Sequence, residues 1–78
     1  MTFRRWMMQF VDSEGSIGDL ADDISTDDRF PAVNEHSAIY EYLIGMNACN
    51  NALLTFERAW GMYEREVDEN GRGLERKA

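Results

Sequence analysis

Leu53-Leu54-Thr55-Phe56-Glu57-Arg58-Ala59-Trp60-Gly61-Met62-Tyr63-Glu64-Arg65-Glu66-Val67 decides the fold of this chain. Its large apolar side chains at Leu53, Phe56, Trp60, Tyr63 and Val67 recur in steps of three, four, three and four residues. That spacing lines them along one side of a helix. The rings among them supply much of the apolar area that a small domain must bury. Glu57, Arg58, Glu64, Arg65 and Glu66 lie largely off the stripe.

Just upstream, Asn47, Asn50 and Asn51 favour caps and turns over a helix interior. A loop or a single short turn is expected over Met46 to Asn51. Cys49 continues the final stripe one step back and is expected to be a buried small hydrophobe. Farther back, Asn34 is expected to cap a third helix, with Ala38, Ile39, Tyr42, Leu43 and Met46 inward and Gly45 near its end. Phe30-Pro31 closes the pattern before it, because the residue ahead of a proline is pushed toward extended geometry. Phe30 is expected to pin this connection to the core.

Ser16 is expected to start the second helix, with Asp19 three residues on as a short-armed capping box. Ile17, Leu20, Ala21 and Ile24 form its buried stripe, and Asp22 and Asp23 point outward. Asp12-Ser13-Glu14-Gly15 is a turn. Thr2 can cap a first helix that carries Phe3, Trp6, Met7, Phe10 and Val11 on one face, with Arg4, Arg5 and Gln9 off it. Downstream of the decisive stretch, residues 68–78 combine two glycines, mixed charge and one leucine. The organisation expected is a helical domain over residues 1–67 and a flexible charged C-terminal tail over 68–78. No internal repeat occurs, and no alternating run that would make a strand.

Seventy-eight residues make one domain. A chain of this size buries only about 60% of its unfolded surface, so stability is modest. The net charge of −7 argues against general affinity for nucleic acid or an anionic membrane. Cys49 is the only cysteine, so an intrachain disulfide and a CxxC motif are excluded. The apolar run Trp6 to Val11, interrupted by Gln9, is too short for a signal h-region. No run approaches the roughly 18 apolar residues of a spanning helix. A cytoplasmic location is expected.

The order Phe3-x-x-Trp6, Ser16-Ile17-x-x-Leu20-Ala21, Asp27-x-x-Phe30-Pro31, Ile39-x-x-Tyr42-Leu43 and Phe56-x-x-Ala59-Trp60-x-x-Tyr63-Glu64-x-Glu66-Val67 resembles the YozE-type SAM-like family. These are small bacterial proteins of uncharacterised function. The resemblance covers Thr2 to Val67. It implies an all-α fold, a SAM-like bundle of four or five short helices. It brings no catalytic residues with it. Two positions depart from the family pattern: the first loop, often basic in relatives, is Asp12-Ser13-Glu14-Gly15, and Ala32 stands where a lysine often follows the Phe-Pro pair. Both departures remove positive charge.

Candidate chemistry is sparse. His36 is the only histidine, and its neighbour Glu35 points in another direction on a helix. With no second histidine and no cysteine cluster, no metal site is expected. His36 reads as a surface or helix-N-terminal residue. Cys49 as a nucleophile would need a base within hydrogen-bond reach, and His36 is the only imidazole. The acidic run Asp12, Glu14, Asp19, Asp22, Asp23, Asp27 and Asp28 lacks the single loop, sixth-position glycine and closing glutamate of an EF-hand. Its plain meaning is a solvated face; its functional meaning is a docking surface for a basic partner. Arg4 and Arg5 neutralise too few phosphates for useful affinity, and the aromatics sit on core stripes rather than on a stacking platform.

These features point to a non-enzymatic protein-protein interaction module that uses Asp19, Asp22, Asp23, Asp27 and Asp28 as its partner-binding acidic face. No cofactor is expected, nor a membrane partner, and the chain is expected to be a monomer or weakly self-associating. The alternative is a nucleic-acid-binding helical domain, which requires Arg4, Arg5, Arg29, Arg58 and Arg65 to converge on one face. An enzyme would need a deep pocket holding both His36 and Cys49.

Overall fold

The computed structural model describes residues 1–67; the tail expected over 68–78 lies outside them. Four α-helices follow one another: α1 (Phe3–Met7), α2 (Gly15–Ser25), α3 (His36–Gly45) and α4 (Asn50–Val67), with a 3-10 turn over Met8–Phe10 extending α1. No strand occurs among the described residues.

Helix α1 starts as the sequence predicts, with the Thr2 hydroxyl accepting a hydrogen bond from the Arg5 amide at 3.2 Å. Asn34 behaves differently from its expected role. Helix α3 has Glu35 at its N-cap and no side-chain cap bond. The Asn34 side chain instead accepts from the Phe3 amide at 2.9 Å and donates to the Met1 carbonyl at 3.2 Å. A cap residue thus serves a helix start 31 residues away, because the first turn of any helix offers unpaired amides. Tyr63 on α4 also donates to the Met1 carbonyl, at 2.6 Å.

Helix α2 begins one residue earlier than expected, at Gly15, and its N-cap Glu14 makes no side-chain cap bond. Gly15 has φ +84°, a conformation L side chains rarely adopt, so the backbone turns into the helix there. Ser16 consequently sits within the first turn and the expected capping box does not form. Gly18 is buried beneath the Ser13 carbonyl, so close that a Cβ on Gly18 would fall 1.8 Å from that oxygen. At the other end, the Arg4 guanidinium donates to the carbonyls of Ile24 and Asp27 at 3.4 and 3.3 Å. A cation there satisfies late carbonyls and suits the negative end of the helix dipole.

The turn after α3 is a Schellman turn centred on Asn47, shorter than the loop expected over Met46 to Asn51, because Asn50 and Asn51 already lie in the first turn of α4. Asn47, at φ +62°, donates to the Ile44 carbonyl at 3.0 Å, and Ala48 donates to that of Leu43 at 3.0 Å. Asparagine tolerates this left-handed conformation better than most residues. The turn carries Met46 and Cys49 outward, so both are exposed rather than inward as expected.

The core gathers on Phe3, which is fully buried. The rings of Trp6, Phe56, Trp60 and Tyr63 lie 5.8, 5.4, 5.3 and 5.5 Å from it. Such offset and edge-on pairs contribute beyond their area alone. Met7 of α1, Leu20, Ala21 and Ile24 of α2, Ile39 and Leu43 of α3, Ala59 of α4, and Phe30 complete it. Phe30 is the anchor its position suggests, edge-on to Tyr42 at 5.6 Å. On α4 the buried face is Thr55, Phe56, Ala59, Trp60 and Tyr63. Leu53 is only partly covered and Val67 is exposed, so the stripe is narrower at both ends than its spacing suggests.

Candidate functional site

Asp19, Asp22 and Asp23 are all exposed on α2. Asp22 and Asp23 stand three and four residues beyond Asp19, so both share its face and are repelled by it. No lysine or arginine among the described residues pairs with any of the three carboxylates, and the one contact of ion-pair geometry there is His36–Glu57. Asp28 is exposed in the turn that follows.

Asp27 is separate in kind. Its Oδ2 accepts a hydrogen bond from the Tyr42 hydroxyl at 2.5 Å, and its Oδ1 accepts from the Arg29 amide at 3.0 Å. These bonds, the tyrosine first, hold the Asp27 carboxyl below the ordinary value of 3.8. The same bond to Asp27 raises the Tyr42 phenol above its ordinary value of 10.0. Asp27 therefore ties the post-α2 turn to α3 while keeping its negative charge.

Asp23 and Asp27 are among the residues that line a groove of about 440 Å3 between α2, α3 and the turn into α4. Leu20, Phe30, Leu43 and Ala48 give it an apolar lining, and Met46 stands exposed among its lining residues. The Schellman turn places Leu43 and Ala48 side by side there. Sequence reasoning marked the carboxylates but missed the groove. The only available signal was the asparagine at position 47, whose left-handed preference turns the chain back over α2.

His36 lies in the first turn of α3 and pairs with the Glu57 carboxylate on α4, its Nε2 2.9 Å from both oxygens. Its ring stacks on Tyr40 at 5.8 Å and packs near Phe56 at 5.1 Å. It is the helix-N-terminal residue expected, and in addition it joins α3 to α4. Cys49 lines the groove with Asp23 and Asp27, and no histidine shares that lining.

Arg4, Arg29, Arg58 and Arg65 occupy separate places. Arg4 is engaged at the C-terminus of α2, and Arg29 sits beside Asp27. Arg58 lines a depression with Phe10, Ile17 and Met62, while Arg65 lines another with Asn34 and Trp60. No helix among the described residues is long and apolar enough to cross a membrane.

A family model described as YozE SAM-like fold matches residues 2–65. No curated protein and no solved structure matches the chain. The matched span covers the whole helical domain except its first residue and the last two described ones. The chain belongs to the YozE SAM-like fold family.

Proposed function

We propose that this member of the YozE SAM-like fold family is a non-enzymatic interaction module that receives a basic protein surface on the acidic face of α2. The observation that supports this reading is the trio Asp19, Asp22 and Asp23, exposed on one helix face and free of ion pairs among the described residues. Like charges at helical spacing cost a little stability, so a cationic partner that relieves their repulsion gains affinity and a faster encounter. Asp28 extends the same negative surface. In this reading the protein acts as a monomer or a weakly self-associating species in the bacterial cytoplasm.

The test is affinity capture from native cell extract with the wild-type chain and an Asp22→Lys, Asp23→Lys double variant. Both side chains are exposed, so the variant keeps the fold. The expected result is a specific protein that is lost on charge reversal and weakens with salt. Binding that ignores the reversal sinks the acidic-face reading. Nucleic acid retained through nuclease-controlled washes, with no protein partner, replaces it with the nucleic-acid alternative.

A further inference from the structure

We infer that the groove between α2 and α3 seats one large apolar side chain of a partner helix, and that an arginine or lysine one turn away on that helix pairs with Asp23. The inference rests on the protein-interaction reading and adds the docking site and the chemistry of its occupant.

Three features of the groove converge on that occupant. Its floor is apolar, from the buried Leu20, Phe30 and Leu43 with Ala48 beside them, and its volume of about 440 Å3 leaves ample room for a large apolar side chain. The charged residues lining it, Asp23 and Asp27, are of one sign, with no lysine or arginine among the lining. Asp27 is already bound to Tyr42 and the Arg29 amide, which leaves Asp23 as the carboxylate open to a partner.

Spacing supplies the fourth argument. Leu20 and Asp23, both in the lining, are three residues apart on α2, about one helical turn. A partner helix with an apolar anchor and a cation three or four residues apart presents its two groups at a matching separation. Met46 adds an adaptable edge: it is 58% exposed, and its unbranched thioether can fold over side chains of different shape. An anchor in a pocket beside a complementary charge is the arrangement that concentrates binding energy in a few residues.

The probe is a random peptide library displayed on phage and selected against the full chain. Enriched peptides are then titrated against the wild type, Met46→Asp and Asp23→Arg. Both altered positions are exposed, and circular dichroism melting checks that each variant is folded. The expected motif is Leu, Met, Ile or Phe with Arg or Lys three or four positions away. Each variant should weaken binding by about tenfold or more. Amide NMR shifts of the wild-type chain on peptide addition should cluster at Leu20, Asp23, Phe30, Leu43 and Met46.

Basic peptides that bind regardless of Met46→Asp, with shifts confined to exposed α2, overturn the groove and leave the acidic-face reading standing. Enriched peptides without basic residues, or no enrichment at all, overturn the groove assignment, while the acidic-face reading stands or falls on the capture with the Asp22→Lys, Asp23→Lys variant. Self-association of the chain that Met46→Asp abolishes would make the occupant a second copy and overturn the partner-helix assignment.

Discussion

Replacing Gly18 by alanine reverses the sign that helix propensity alone assigns. Glycine inside a helix ordinarily costs about 1 kcal/mol relative to alanine, so Gly18→Ala, at the fourth position of α2, would be expected to stabilise. The structure says otherwise. The new Cβ would lie 1.8 Å from the Ser13 carbonyl oxygen and 2.6 Å from its carbon, against ordinary contact at 3.4 Å or more. The obstacle is backbone, and the Ser13 amide is itself bonded to the Phe10 carbonyl at 2.9 Å. The loop must retreat by about 1.6 Å, dragging the end of the 3-10 turn with it, and overpacking of this kind costs about 3 kcal/mol. After the propensity gain, a net loss of about 2 kcal/mol remains. For a domain of this size that lowers the melting temperature by about 10 °C. Thermal denaturation followed by circular dichroism reads it directly. A melting temperature equal to or above wild type would refute the close packing of the Ser13 loop on α2.

Gly61→Ala is the paired control: Gly61 lies in α4 with nothing within 4 Å of a new Cβ, so the same exchange should stabilise by about 1 kcal/mol, read in the same melt. Asn34→Ala removes the bond to the Phe3 amide and should cost about 1 kcal/mol, with faster hydrogen exchange at Phe3 as its local signature. Asp27 has a folded-state pKa below its ordinary 3.8, so its contribution is present above that value and is lost as pH falls through the lowered one. Asp27→Asn should therefore lower stability at neutral pH and flatten the acid limb of the stability profile below about pH 4, and unchanged acid sensitivity would count against the Tyr42 bond.

The parts of this fold that were legible in the sequence are those governed by local periodicity. Phe56, Trp60 and Tyr63 announced α4, and Leu20, Ala21 and Ile24 announced α2, because burial repeats with the helical period. What failed were assignments that depend on distant partners. Asn34 has the chemistry of a cap, but which helix it caps depends on where Phe3 lies in space. Cys49 and Met46 matched the buried phase of their neighbours, yet the left-handed turn at Asn47 breaks the phase between α3 and α4. The acidic residues were visible as a charge run. That Asp27 binds Tyr42 while Asp19, Asp22 and Asp23 stay exposed follows from the path of the turn after α2, which carries little periodic signal.

The Met1 carbonyl receives hydrogen bonds from both Asn34 and Tyr63. Tyr63 lies one turn before Val67, so the start of α1 and the end of α4 are neighbours. A short polar linker from residue 67 back to residue 1 would therefore close the helical domain into a ring without stretching it. New termini opened beside Cys49, on the exposed approach to α4, would leave the Phe3 ring cluster and the α2 face intact. The domain is thus suited to circular permutation, and a permuted form would display both of its ends at the mouth of the groove instead of at the far end of α4.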